Sequence, residues 1–150
     1  VTLPCGVVPG RNTSMIGVLI VTHGNVGGEL IKAAEIIKGP LKSLLHVSVD
    51  TFNSVESLKK EISSSIKKID AGQGVLILTD LFGGTPSNLS LSFLKKDRVE
   101  VVTGVNLPML LKVSDIRQDM SLRDFAAHVT EYGRKNIYLA SEVLDKKIAE

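Results

Sequence analysis

The sequence predicts an α/β fold, an open and mostly parallel sheet with helices on both faces. Apolar, largely β-branched runs recur at strand length, and segments with apolar residues at helical spacing separate them. The predicted strands are Ile16 to His23, Leu44 to Val49, Val75 to Asp80 and Val99 to Thr103. Because strands that alternate with helices form right-handed βαβ units, we expect them to lie parallel in one sheet.

The segments between the strands have apolar residues at helical spacing. The first predicted helix spans Gly27 to Lys38, and the second is capped by Asn53 or Ser54 and extends to Ile69. The later ones are Pro86 to Lys95, a short helix through Met109 and Val113, Ser121 to Tyr132, and Ser141 to the end. Glycines mark two helix ends, at Gly39 and Gly133. Residues 136–139 predict a last short strand, which could pair at a sheet edge or cross to another subunit.

Length and composition fit one domain. A chain of 150 residues buries about 68–70% of its unfolded surface, enough for one full core. The sequence has no internal repeat, low-complexity tract or linker. Residues 1–14 hold two prolines, two glycines and no periodicity, so we interpret them as a vector-derived leader before a domain that spans 15–150 and starts naturally at Met15.

Charge and cysteine content exclude several classes of protein. The net charge is only +2, with 18 basic and 16 acidic residues and no long run of like charges, so neither nucleic acid nor a membrane surface is an expected partner. The apolar runs are too short to span a bilayer. Cys5, the single cysteine, falls in the predicted leader, which excludes an intrachain disulfide framework and fits a cytoplasmic protein.

Two ionisable residues follow the most apolar strands. His23 ends the first predicted strand and Asp80 ends the third. Ligands and chemistry collect at the carboxyl ends of strands in open α/β sheets, so the two side chains can meet if these strands are neighbours. A carboxylate that accepts from one imidazole N–H fixes the tautomer and leaves the other nitrogen as a nucleophile. The alternative is that His23 only completes a turn.

A glycine-containing turn follows Asp80 and opens directly into a predicted helix. Gly83, Gly84, Thr85 and Ser87 supply backbone amides and hydroxyls at a helix start, a combination that binds anions. The plainer interpretation makes Thr85 an ordinary N-cap with Pro86 at the first helical position. Together with His23 and Asp80, this turn predicts a histidine that accepts and gives up a phosphoryl group.

Other kinds of site have less support. The remaining histidines, His46 and His128, fall within a strand and on a late helix, so we expect structural roles for both and no metal site. A nucleotide-binding G-x-x-x-x-G-K-[ST] segment is absent, and so is a G-x-G-x-x-G after a strand.

Three stretches resemble the signature blocks of the mannose-type EIIA domain of the bacterial phosphoenolpyruvate:sugar phosphotransferase system. They are VLIVTHGNVGGELIKAAEIIKGP, GVLILTDLFGGTPSNLSLSF and VEVVTGVNLPMLL, in matching order and spacing. The resemblance implies a four-stranded parallel sheet, which we expect in the order 2-1-3-4, and a C-terminal strand exchanged in a homodimer. It also implies that His23 is phosphorylated, that Asp80 bonds to it, and that Thr85 lies beside the phosphoryl group.

The same resemblance implies a function. The phosphoryl group would arrive from the phosphohistidine of the carrier protein HPr and leave for an EIIB domain, with no cofactor and only indirect association with the membrane components EIIC and EIID. Such domains contact protein partners rather than the sugar. The residues Asn25-Val26-Gly27-Gly28 depart from the usual small or aliphatic residues after His-Gly.

Alternatives stay open at this point. A lone EIIA with these blocks also resembles regulatory members of incomplete phosphotransferase systems, which signal through phosphorylation-dependent partner binding. Two further alternatives are the phosphocarrier subunit of a dihydroxyacetone kinase system and a generic doubly wound binding domain without chemistry.

Overall fold

A computed structural model describes residues 15–116 and 120–148, so the predicted leader and Cys5 lie outside the described residues. Its four strands are β1 (Gly17–His23), β2 (Leu44–Val49), β3 (Val75–Thr79) and β4 (Val99–Thr103). All three strand pairings are parallel, and the strand order is β2-β1-β3-β4. The predicted α/β class and the expected strand order are therefore confirmed.

Six helices are present in the described part of the chain. They are α1 (Val26–Lys38), α2 (Val55–Ile69), α3 (Thr85–Leu91), α4 (Leu107–Ile116), α5 (Leu122–Lys135) and α6 (Ala140–Ile148). The side chain of Ser54 caps α2 by accepting from the N–H of Ser57 at 3.1 Å. Of the two predicted caps for this helix, Ser54 is therefore the correct one.

Alternation along β1 and β3 divides the core between the two faces of the sheet. One cluster includes Val18 and Ile20 of β1 with Leu110 of α4 and Phe125 of α5. The other includes Leu19 and Val21 of β1 with residues of α2 and α3: Leu58, Ile62 and Leu89. Successive strand side chains point to opposite faces, so each strand feeds both clusters. The helices cover both faces, as the sequence predicts.

The position of β1 determines where the chemistry can lie. It is the inner strand between β2 and β3, and its residues Val18 to Thr22 are fully buried. Because all strands run in the same direction, their carboxyl ends meet at one edge of the sheet. We call this the carboxyl edge and define it as four segments, each running from the last residue of a strand into the first turns of the next helix: 23–29, 49–58, 79–88 and 103–110.

Two helix ends differ from the sequence predictions. Helix α3 ends at Leu91 rather than Lys95, and residues after it form tight turns in which the N–H groups of Phe93 and Leu94 bond to carbonyls three residues back. Helix α5 continues through Gly133 to Lys135, so this glycine does not terminate it. The predicted N-cap Thr85 is instead the first helical residue, and Gly84 is the cap.

The C-terminal segment packs little against the rest of the chain. Residues 136–139 form no strand within the single chain, and Ile137, Tyr138 and Leu139 are exposed. The predicted C-terminal helix is present as α6, but none of its residues is buried. Among the described helices, none combines the length and apolar character needed to cross a lipid bilayer.

Candidate active site

The two ionisable residues predicted to meet do so at the carboxyl edge. Nδ1 of His23 lies 2.8 Å from Oδ2 of Asp80, and the backbone N–H of His23 donates to the same oxygen at 2.9 Å. Asp80 follows β3, which pairs directly with β1, so strand pairing alone brings the two side chains together. The His23 side chain remains 49% exposed, whereas that of Asp80 is 16% exposed. About half of the His23 side chain is therefore accessible to another molecule.

Asp80 is held as a carboxylate. Partial burial raises its pKa, but hydrogen bonds from the backbone and ring of His23, the charge of that ring and a bond from the N–H of Leu81 outweigh burial, so the pKa lies below its ordinary value of 3.8. The Leu81 N–H donates to the second oxygen, Oδ1, at 3.0 Å. An ionised carboxylate only accepts hydrogen bonds, so Nδ1 of His23 carries a proton, and the neutral tautomer that Asp80 selects has its lone pair on Nε2.

Gly84 lies directly against the other side of the imidazole. A Cβ added at this position would come within 2.8 Å of Cε1 and 3.3 Å of Nε2 of His23. A contact of 2.8 Å is shorter than van der Waals packing permits, so any side chain here would displace the ring. The glycine therefore keeps space open beside the one ring nitrogen that Asp80 does not engage.

Ser87 and Gly83 stabilise the turn between Asp80 and α3. The N–H of Gly83 donates to Oγ of Ser87 at 2.9 Å, and that hydroxyl donates to the carbonyl of Gly84 at 3.1 Å. Ser87 is fully buried. Gly83 has a positive φ of 91°, a backbone conformation that glycine adopts without steric cost. These two predicted phosphoryl-binding residues are therefore bonded to each other and fix the shape of the turn.

Thr85 is the first residue of α3 and is partly buried. It directly follows Gly84, which lies against the His23 ring. The structure thus brings His23, Asp80, Gly84 and Thr85 to one region of the carboxyl edge.

Thr22 is a positioning residue that sequence reasoning missed. Its buried hydroxyl accepts from the N–H of Gly27 at 2.9 Å, which ties the start of α1 to the end of β1. The N–H of Gly24 donates to the carbonyl of Val49 at 2.9 Å. Both bonds anchor the turn that immediately follows His23. The sequence feature that could have indicated this role is a threonine immediately before His23.

The other two histidines lie apart from this arrangement. His46 is in β2, and its ring lies against Gly28 in the first turn of α1. His128 is in α5, where Nδ1 donates to the carbonyl of Asp124 at 3.1 Å. Within residues 15–116 and 120–148, no group of three or more His, Cys, Asp and Glu residues could hold a metal ion.

Comparison with known proteins identifies the family. Residues 17–130 match the family model described as the PTS system fructose IIA component. The fructose-specific EIIA component of Bacillus subtilis is 32% identical over 133 residues, which cover 88% of this chain and 91% of that protein. The chain belongs to the mannose-type EIIA family of the phosphotransferase system. Members of this family are phosphotransferases that act in sugar uptake.

Further relatives agree with this EIIA assignment. The mannose-specific EIIAB component of Escherichia coli K12 is 32% identical over 124 residues, which cover 81% of this chain but 38% of that longer protein. The sorbose-specific EIIA component of Lacticaseibacillus casei is 33% identical over 113 residues, 75% of this chain and 81% of that protein. A crystal structure of EIIA from Streptococcus agalactiae superimposes with a TM-score of 0.76 at 27% identity and covers 85% of this chain and 99% of that one.

Proposed function

We propose that this EIIA domain carries a phosphoryl group on Nε2 of His23, accepting it from the phosphohistidine of HPr and passing it to an EIIB domain during sugar uptake. The observation that carries the proposal is the 2.8 Å contact between Nδ1 of His23 and Oδ2 of Asp80 at an exposed edge of the sheet. This contact leaves Nε2 as the free nucleophile. The family relationship supports the same role.

The transfer requires little from the protein beyond alignment and charge stabilisation. The Nε2 lone pair attacks phosphorus, the nitrogen–phosphorus bond of the donor histidine breaks, and the electron pair of that bond stays on the donor ring. His23 then carries the phosphoryl group on Nε2 and a proton on Nδ1, so its ring gains positive charge. Asp80 accepts from Nδ1–H and stabilises that charge. Transfer to EIIB repeats these steps with His23 as the leaving group.

The turn before α3 supplies the contacts to the phosphoryl oxygens. We assign direct donation to the backbone N–H of Gly84 and to the hydroxyl and N–H of Thr85, because Gly84 lies beside Nε2 and Thr85 follows it. Gly83 and Ser87, also predicted to bind the group, bond to each other at 2.9 Å, so we assign them the support of the turn. Glycine at position 84 lets the backbone approach the transferred group closely.

A second copy of the chain completes the assembly. Ile137, Tyr138 and Leu139 are 76%, 67% and 63% exposed, and α6 buries none of its residues. Contiguous apolar surface of this kind is typical of protein interfaces. We therefore assign this segment to a homodimer contact. The dimer would work in the cytoplasm and reach the membrane components EIIC and EIID only through EIIB.

The test is enzymatic phosphorylation followed by intact mass. Incubation with phosphoenolpyruvate, enzyme I and HPr should add one acid-labile phosphoryl group to the wild type and none to His23→Ala. His128→Ala is the matched control and should be phosphorylated like the wild type, because His128 lies on α5. A wild type that gains no phosphoryl group under these conditions would refute the proposal.

Two further measurements define the role. Asp80→Asn should slow the transfer roughly 10²–10³-fold, the range for loss of one preorganised electrostatic contact, while the fold remains intact by circular dichroism. Addition of EIIB should then remove the phosphoryl group from the wild type. If no EIIB accepts the group but a partner binds only one phosphorylation state, the regulatory alternative replaces the transport role.

A further inference from the structure

Basic and acidic side chains are divided between the two ends of the sheet. The segments of the carboxyl edge contain four carboxylates and no lysine or arginine. We call the opposite end the amino edge and define it as three segments that lead from α1 into β2, from α2 into β3 and from α3 into β4: 35–44, 66–75 and 92–99. These contain seven lysine and arginine residues and three carboxylates. The net charge of +2 for the whole chain therefore conceals a basic end and an acidic end.

Ion pairs within the chain neutralise little of the basic end. Asp70 pairs with Arg98 at 3.2 Å, and Lys38 pairs with Asp115. The five remaining cations are exposed lysines without an ion-pair partner within residues 15–116 and 120–148. We call them the lysine belt: Lys42, Lys67, Lys68, Lys95 and Lys96. Their charge remains available to an anionic surface outside the chain.

The lysine belt occupies adjoining loops at one end of the molecule. Ser43 and Lys68 line the same cavity of about 290 Å³, so the loop before β2 adjoins the end of α2. The ion pair between Asp70 and Arg98 joins the loop before β3 to the loop before β4. The five lysines therefore belong to one surface.

Exposed aliphatic side chains lie at both ends of this surface. Ile36 and Ile37, in the last turn of α1, are 86% and 58% exposed, and Leu94 before β4 is 51% exposed. Phe93, the single aromatic residue of the three segments, packs against the core, so the edge lacks the exposed aromatic rings on which proteins stack nucleic-acid bases. Separate aliphatic tips also differ from the contiguous apolar patch of a protein interface. A fluid surface that accepts each tip separately fits them better.

We propose that the amino edge is a binding surface for an anionic lipid bilayer. The lysine belt lies over the anionic headgroups, while Ile36, Ile37 and Leu94 enter the boundary between the headgroups and the acyl chains. The lysines supply an attraction that salt screens, and the aliphatic tips add apolar burial. The composition of the whole chain argues against a membrane partner only because it averages the two ends.

Binding at this end leaves the reacting histidine accessible. Strand β1 begins with Gly17 near the amino edge and ends with His23 at the carboxyl edge, and its 7 residues span roughly 20 Å at about 3.3 Å each. The imidazole therefore faces away from the bilayer. The contact is with lipid rather than with EIIC or EIID, and it does not depend on phosphoryl transfer.

Vesicle sedimentation tests the charge requirement. The protein is mixed at low salt with vesicles of phosphatidylglycerol and phosphatidylcholine in equal parts, or with vesicles of phosphatidylcholine alone. We expect binding to the anionic vesicles only, and binding at least about tenfold weaker in about 0.5 M salt. Lys67→Glu combined with Lys68→Glu should weaken binding about 20-fold or more, because each lysine near the surface contributes a factor of about five.

A second pair of lysines on the same helix supplies the matched control. Lys59 and Lys60 are exposed in the second turn of α2, away from the amino edge. Lys59→Glu combined with Lys60→Glu makes the same change in net charge, but it should weaken vesicle binding much less.

Tryptophan fluorescence tests which end of the molecule enters the bilayer. The chain contains no tryptophan, so a single introduced tryptophan reports its own surroundings. The emission of Ile36→Trp should shift to shorter wavelength when anionic vesicles are added. Phe52→Trp is the control, because position 52 is 94% exposed at the carboxyl edge, and its emission should not shift.

Several outcomes would overturn the bilayer surface. They are a wild type that does not sediment with anionic vesicles at low salt, equal losses for the two double-lysine variants, and a shift confined to Phe52→Trp. Binding of a DNA duplex in place of vesicles would also overturn it, because the lysine belt would then serve a nucleic acid. Each of these results leaves phosphorylation by HPr unaffected, since that reaction is measured without lipid.

Discussion

At the scale of single residues, Asp80 ties both the backbone and the ring of His23 to one carboxylate. The pKa of Asp80 lies below 3.8 in the folded chain, so ionised Asp80 favours the folded state. A depressed carboxyl pKa contributes stability that is fully present well above the unfolded-state pKa. That contribution is lost as pH falls through the folded-state pKa.

This sign predicts how acid acts on the wild type and on Asp80→Asn. The wild type should exceed the variant in free energy of unfolding at pH 5, and the excess should shrink as pH falls below the ordinary Asp80 value of 3.8. Urea unfolding of both proteins at pH 5, 4 and 3 measures the difference. An excess that is the same at pH 3 as at pH 5 would contradict the linkage.

Gly84 sets the position of the imidazole from the opposite side. Gly84→Ala would place a methyl group 2.8 Å from Cε1 of His23, so the ring must move. Because a displacement of about 1 Å can cost on the order of 10² in rate, we expect phosphorylation by HPr to slow at least tenfold. Intact-mass time courses measure this rate. A variant with the wild-type rate would show that the ring has room for the methyl group.

The sequence predicts the reacting pair better than its surroundings. His23 and Asp80 each follow an apolar strand, and the general rule for parallel sheets brings strand ends to one edge. The pairing of Ser87 with Gly83 and the bond from Gly27 to Thr22 are different, because they depend on how a turn folds back on a helix start. A hydroxyl near a helix start fits an anion ligand or a structural bond equally well in sequence.

At the scale of elements, the strands and most helix starts follow from periodicity, whereas two helix ends do not. Helix α3 ends early, where the hydroxyl of Ser92 donates to the carbonyl of Leu89 at 2.6 Å. A hydroxyl that bonds to a nearby carbonyl competes with the helix, but apolar residues such as Phe93 and Leu94 continue the helical pattern in sequence. Periodicity therefore overestimated the length of α3.

Helix α5 passes through Gly133 for a reason that lies in another element. A Cβ at position 133 would come within 2.9 Å of Cγ and 3.2 Å of Sδ of Met109 in α4, so the glycine permits close approach of the two helices. Local sequence cannot distinguish a glycine that ends a helix from one that accommodates a neighbour.

Gly133→Ala should therefore destabilise the domain. Alanine gains about 1 kcal/mol over glycine in a helix interior, but overpacking against Met109 costs about 1–3 kcal/mol, so we expect a small net loss. Urea unfolding measures it, and the loss should be smaller when Met109 is replaced by Ala in both proteins. A net gain in stability would show that Met109 relocates freely.

At the scale of the whole molecule, the fold and the C-terminal segment are separable. The buried members of both core clusters end at Val129, and residues 137–148 contribute none. Their exposed apolar side chains form the surface that we propose as the homodimer contact. Stability of the sheet and assembly of the dimer should thus respond to different parts of the chain.

Truncation after Asn136 tests this separation. By light scattering, the shortened chain should be a monomer and the untruncated protein should be a dimer. Its circular dichroism should retain the α/β signature, because no described core residue is removed. A longer protein that is itself a monomer at tens of micromolar would contradict the assigned role of residues 137–148.

The burial of β1 between two paired strands has a consequence for signalling. Its backbone is bonded on both sides to neighbouring strands, and Val18 to Thr22 contact no solvent. Gaining or losing a phosphoryl group should therefore leave the main chain that bears His23 where it is. The phosphorylated and unphosphorylated forms would share one backbone conformation and differ in surface potential. A protein that distinguishes them would then respond to the phosphoryl charge rather than to a change of fold.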